Sequence, residues 1–207
     1  MIKTFIEKSW LLIVASLLFG VLLAGANTWL DPMIKANEIK KFNEKASAMI
    51  TDANSFDSIS EDKMELTSVK GKPIEIDVKK AIDADGNCVG WAFAVEGSGF
   101  ADKIKLVIAT DARFENLEGF GVLLSNETPG FGDKINRPDH YFVKQFTGSP
   151  ADEDELKLVK IGDWKIVDDD IEIVAITGAT VTSDAVVTIF NTYLKQIRAK
   201  LTEKGLL

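Results

Sequence analysis

Three threonines and a serine crowd the stretch ITGATVTSDAVV, Ile176 to Val187: Thr177, Thr180, Thr182 and Ser183. A hydroxyl in such a setting does one of two things. It caps a helix by accepting a backbone N–H bond, or it is presented to a phosphate. The order of residues reads as a strand, a tight glycine turn and a helix start. Thr182, Ser183 or Asp184 is placed to cap a helix beginning near Asp184. Gly178 and Ala179 leave room for close approach. The helix start supplies free amides and a positive dipole end. Thr180 falls one turn ahead of it. On residue chemistry alone both readings stand: a turn with its cap, or a phosphate seat.

NETPGFGDK, Asn126 to Lys134, is the second unusual segment. Asn126, Glu127 and Thr128 spell a glycosylation sequon, but the Pro129 that follows makes it a poor one. PGFG, with Gly130 and Phe131 at its centre, bends the backbone and exposes amides. Such a loop at a strand end serves as a wall for a flat ligand or as a long surface turn. GFG and GSG do not make a dinucleotide fingerprint, because the full G-x-G-x-x-G between strand and helix is missing. One histidine, His140, and one cysteine, Cys88, argue against a structural zinc site and a disulfide framework. Cys88 is expected as small buried filler and His140 as a surface or packing residue. DADGN, Asp83 to Asn87, starts like a calcium loop but lacks the later ligands, so a hairpin turn is expected. The net charge is −8, with no basic stripe after Lys45, which argues against nucleic acid as a partner.

These segments need positioning elements. Ser9 to Leu30 carries no charge; about 22 residues give roughly 33 Å of helix, enough to cross a bilayer core. Trp10 and Trp29 sit near its ends, where amphipathic rings favour the interface. Ala24 to Ala26 has the spacing of a signal-peptide cleavage site, yet an uncleaved anchor is the expectation. A second helical pattern opens at Asp31-Pro32, with Ile34, Ile39, Phe42, Ala46 and Met49 roughly on one face. A polar connection is expected from Thr51 to Lys72.

The period then switches to two. Ile74–Val78, Cys88–Glu96, Ile104–Thr110 and Phe120–Ser125 read as strands. WKIVD and IEIVAI follow as two more, and ADEDE and DDD read as solvated loops. RPDHYFVKQF, Arg137 to Phe146, is expected as a short helix capped near Pro138-Asp139. Val186, Ile189, Phe190, Tyr193, Leu194, Ile197 and Leu201 repeat at helical spacing and should pack on the sheet. The pattern is α+β: a single N-terminal transmembrane helix, then an antiparallel-sheet domain with flanking helices. The expected divisions are 1–30 for tail and anchor, 31–72 for a helical stalk and connection, and 73–207 for the domain.

An apolar N-terminal helix, NETPGFGDK, VKQFTG and TGATVTS, in this order, resemble the FMN-binding G subunit of the Rnf electron-transport complex (the RnfG type). The C subunit of the sodium-pumping NADH:quinone reductase (NqrC) shares the domain. The resemblance implies FMN joined through its phosphate to the hydroxyl of Thr180, a bond that a magnesium-dependent flavin transferase makes from FAD. Thr177, Gly178, Ala179, Thr182 and Ser183 would complete the attachment box. Glu127, Thr128, Gly130 and Phe131 would flank the isoalloxazine, and Lys134 would offset negative charge on the reduced ring. A raw lysine count puts the large C-terminal part inside; the resemblance places it on the extracytoplasmic side of the cytoplasmic (inner) membrane, behind a single-pass anchor. The implied function is electron relay in an ion-pumping ferredoxin:NAD oxidoreductase complex, as one redox subunit and not a complete enzyme. Implied partners are the other membrane subunits, membrane lipid and, during maturation, the transferase. Two alternatives stay open: an NqrC-like or other extracytoplasmic flavin subunit, and a membrane-tethered binding module without redox work.

Overall fold

The structure is a computed structural model that describes residues 2–59, 63–151, 155–160 and 171–207. It divides into two compact units, Met1–Lys41 and Phe42–Leu207. Helix α1 runs Ile2–Met49. Its stretch from Ser9 has a mean hydropathy of 2.3 and is long and apolar enough to cross a membrane. Two hydroxyls inside that stretch are satisfied locally: Ser16 Oγ donates to Leu12 O and Thr28 Oγ1 to Ala24 O. Such back-bonding keeps hydroxyls paired where water is missing. The boundary expected at Pro32 is not a break, since α1 continues through it. Asp31 and Lys35 pair across one turn at that point, 2.7 Å apart.

The second unit is built on a five-stranded antiparallel sheet in the order β1 (Ser55–Ser58), β4 (Val78–Ile82), β5 (Cys88–Ser98), β6 (Lys103–Asp111), β7 (Leu117–Leu124). Strands β2 (Met64–Thr67) and β3 (Pro73–Ile76) form a separate hairpin. Strands β8 (Lys157–Val159) and β9 (Glu172–Val174) pair in parallel. The strand expected over Ile74–Val78 is therefore two strands in two sheets. Two further strands, β1 and β2, occupy the stretch read as a polar connection, because Met64 and Leu66 alternate inward beneath their polar neighbours. WKIVD and DDD fall outside the described residues, as does most of ADEDE.

The central sheet has a large-residue face and a small-residue face. Trp91, Phe93, Val95, Leu106, Ile108, Phe120 and Val122 fill one side, beneath helix α3 (Thr180–Glu203). α3 lies close: a Cβ on Gly97 would sit 2.5 Å from Ile189, and Tyr193 donates its hydroxyl to Glu96 O at 2.9 Å. The other side carries Ala81, Ala92, Ala109 and Gly121, and there residues Phe42–Ile50 pack. Small residues let a helix approach a sheet, so Phe42 and Ala46 are buried. Ile34 and Ile39, expected on the same face, are exposed.

Helix α2 (Tyr141–Lys144) is shorter than expected, and its cap is His140, whose Nδ1 accepts from Phe142 N at 3.3 Å. Phe142 and Phe146 join Phe120 of β7 and Phe190 of α3 in one buried aromatic cluster, with ring centroids 4.5–5.5 Å apart. The β6–β7 loop also reaches inward: Phe114, at a positive φ of 57°, is fully buried and stacks on Phe93.

Candidate functional site

The site begins where β9 ends. Gln145 pairs with both backbone groups of Val174, accepting from its N–H at 2.8 Å and donating to its carbonyl at 3.1 Å. Tyr141 donates its hydroxyl to Ala175 O at 2.8 Å. Residues 141–145 thus grip the end of β9 by its backbone, while Val143 and Phe146 enter the core. The chain then turns at Gly178, whose φ of +82° suits glycine and few other residues. Ser183 closes the turn from inside the helix: its hydroxyl accepts from Ile176 N and donates to Ala179 O, both at 3.0 Å.

α3 starts four residues earlier than expected, with Ala179 at its N-cap and Thr180 as its first residue. Thr182 and Ser183 therefore lie in the first turn, not at the cap, and Asp184 lies beyond them. No side chain caps the helix. Its first N–H groups lack intrahelical partners, so the end keeps its amides and its positive dipole. Thr180, partly exposed, stands among them; Thr177 and Gly178 are exposed. Among the described residues the hydroxyls of Thr182 and Ser183 have partners, and those of Thr177 and Thr180 have none.

The NETPGFGDK segment meets this turn directly. A Cβ added to Gly178 would lie 2.9 Å from Phe131 Cδ1, so the phenyl ring rests against the glycine. Phe131 is nonetheless 52% exposed, with Pro129 and Gly130 beside it at the surface. The loop holds its own shape: Thr128 O accepts from Phe131 N and Asp133 N, each at 3.2 Å, and Gly130 takes a φ of +79°. A short 3-10 helix, Gly132–Asn136, follows and contains Lys134.

Glu127 is the member of this segment whose placement differs most from expectation. It does not line the exposed wall but is buried, 5% exposed, beneath it. Its carboxylate accepts from Thr182 Oγ1 at 2.5 Å and from the Ala101 N–H at 3.1 Å. The turn between β5 and β6 therefore belongs to the site. GSG was the available signal: a Cβ on Gly99 would collide with Glu127 Oε1.

Lys134 is half-buried, and its charge is felt at His140. Burial, then the positive charges of Lys134 and Arg137, push the imidazole below its usual pKa, against the opposing Asp139. The unfolded state therefore takes up the proton first. The stability that the neutral cap contributes is complete above about pH 6.5, the unfolded value, and is lost as pH falls below it. His140→Asn keeps a capping oxygen and does not titrate. We expect the melting temperature of this variant to fall less than wild type between about pH 7 and about pH 5; equal slopes in a thermal-melt series would contradict this.

In chemical terms the site combines a partly exposed hydroxyl at a helix start, the first amides of that helix, and an exposed aromatic ring packed on a side-chain-free turn. Phosphate suits the first two, and the face of a planar ring suits the third. Residues 99–195, which hold both segments, match the FMN-binding domain family. A protein of Methanosarcina acetivorans, named as the G subunit of an ion-translocating oxidoreductase complex, is 25% identical over 189 residues, covering 91% of this chain and 92% of that one. The protein of the same name from Haemophilus influenzae is 33% identical over 104 residues, covering 50% of this chain; the chain spans 47% of that relative's length. The crystal structure of Shewanella oneidensis NqrC is 23% identical, covers 75% of this chain and 72% of its own, and superposes with a TM-score of 0.58. That likeness shows the α+β fold. The resemblance read from the motifs thus stands in the family match, the named relatives and the fold.

Proposed function

We propose, from an FMN-binding domain at residues 99–195, that this chain is a membrane-anchored flavoprotein subunit of an ion-translocating oxidoreductase complex. It relays electrons through FMN held covalently at Thr180, in a complex of the ferredoxin:NAD type. The observation that carries the reading is the meeting of Phe131 with Gly178, two residues from a hydroxyl that has no other partner among the described residues. The neighbouring hydroxyls of Thr182 and Ser183 are buried and committed, so they are poor nucleophiles. Thr177 is exposed but precedes the glycine turn and stands off the helix start. The name of the relatives supports the complex, and similarity over nearly the whole Methanosarcina protein favours the G-subunit type over the structural neighbour.

When bound, FMN supplies the redox chemistry; the chain supplies attachment, orientation and charge. Thr180 Oγ1 bears the phosphate. The first amides of α3 and its dipole offset the phosphate charge. Phe131, with the backbone of Thr128 and Gly130, offers the apolar wall for the ring, and Lys134 adds positive charge on the same loop. The α1 stretch from Ser9 is the anchor, and the unit Phe42–Leu207, which takes in β1 and β2 of the expected stalk and connection, is the flavin domain on the extracytoplasmic side. A covalent tether suits that side. Confining a free cofactor costs about 4–15 kcal/mol of translational and rotational freedom, and FMN lost outside the cell is not recaptured. The other subunits would meet the anchor and one face of the domain.

The test is direct. Full-length protein from cells that contain a flavin transferase is denatured, run on a gel and viewed under ultraviolet light. A fluorescent band is expected, absent when the transferase is deleted. A dark band from transferase-positive cells leaves the rival reading, a tethered binding module in which the threonines only shape a turn.

A further inference from the structure

Glu127 and Thr182 lie 55 positions apart and are both nearly sealed from solvent, at 5% and 2% exposed. Their contact is packed tightly. A Cβ on Gly132 would come within 2.6 Å of Thr182 Oγ1 and 2.9 Å of Glu127 Oε2. The second carboxylate oxygen takes the Ala101 N–H and abuts Gly99. One side chain therefore joins three segments: the β5–β6 turn, the loop of which it is part, and the first turn of α3. Two of these segments give up side-chain bulk at the junction, through Gly99 and Gly132, and the turn before α3 gives it up beneath Phe131, through Gly178. Removing the carboxylate would leave the buried Thr182 hydroxyl without an acceptor and the Ala101 N–H without its side-chain partner.

We infer that Glu127 is a positioning residue: through Thr182 it latches the 128–132 loop to the start of α3, and so keeps Phe131 seated on Gly178 beside Thr180. It touches no cofactor itself. The consequence for the ring rests on the flavin reading, whereas the latch itself does not. The glutamate in this segment then works from behind the wall, setting where the wall stands.

The experiment uses the full chain in detergent, first expressed without a flavin transferase. Hydrogen–deuterium exchange is read at 128–134 and at 177–182. Glu127→Ala is expected to speed exchange in both segments together, by about tenfold. Thr182→Val should do the same, and the double variant should be no faster than the faster single one. Gln196→Leu is the control for general loosening, because Gln196 ties α3 to Thr67 of β2 on the far part of the helix; both segments should exchange there as in wild type. If Glu127→Ala does not fold, Glu127→Gln and Thr182→Val carry the comparison. A change confined to one segment, or additive single effects, overturns the latch.

The flavin-loaded protein gives the second readout. Glu127→Ala and Thr182→Val should keep a fluorescent denatured band but lose most of the flavin's induced visible circular dichroism, which Gln196→Leu should not disturb. Unchanged dichroism in both variants overturns the positioning role. A wild-type band without flavin would sink the flavin reading alone, and the exchange data would still judge the latch.

Discussion

Thr180→Ala should leave the chain without covalent flavin: a dark band on the denaturing gel and an intact mass lacking the adduct. The expected effect is all or none, because alanine has no oxygen to esterify. It should cost little in folding. Thr180 is partly exposed, is not the cap of α3, and its hydroxyl holds nothing among the described residues; a change within about 0.5 kcal/mol is typical of such positions. Loss of flavin with an unchanged melting curve would therefore be chemical in origin. Thr177→Ala and Thr182→Ala should both keep the adduct. Thr182 cannot substitute for Thr180, since it is buried against Glu127 beneath Gly132. Retained fluorescence in Thr180→Ala would move the attachment point and undo the assignment.

Phe190→Ala should be the most destabilising of the substitutions considered. The ring is fully buried and meets Phe120 at 5.5 Å and Phe146 at 4.5 Å, so it ties α3 to β7 and to the segment after α2. Deleting such a ring costs about 3–5 kcal/mol in transfer and cavity terms, and its edge-to-face pairing with Phe120 disappears too. For a unit of this size the melting temperature should fall by roughly 6–20 °C. Covalent flavin should still form at low growth temperature, because Phe190 lies on the core face, away from Gly178 and Phe131. A melting curve like wild type would mean that α3 is held chiefly by Tyr193 and Gln196 further along the helix.

Much of this architecture could be read from residue order. Elements with a strong period, such as β5, β6 and the apolar face of α3, are specified by alternation or helical spacing within one segment, and they appear where the spacing predicts. Short elements were harder. β1 and β2 are only four residues each, and their inward residues matter only once partners exist. Phe114 reads as loop because its neighbours are polar, yet stacking on Phe93 draws it into the core. The start of α3 lies four residues before the expected place because Thr182, Ser183 and Asp184 look like caps, whereas Ser183 bonds back across the turn from inside the helix.

Residue types and their order established the ingredients: an apolar stretch long enough for a bilayer, a glycine-bearing turn with hydroxyls at a helix start, and a PGFG loop with an aromatic side chain. Those are local properties, set by hydropathy, glycine's backbone freedom and the chemistry of oxygen. Folding decided which hydroxyl is free and which way Glu127 faces. Thr180 and Thr182 are two residues apart and chemically alike, but successive positions on a helix point about 100° apart. One therefore reaches solvent at the helix mouth while the other is buried on a carboxylate from 55 positions away. That choice depends on the docking of three distant segments around glycines, and no single stretch of the chain contains it.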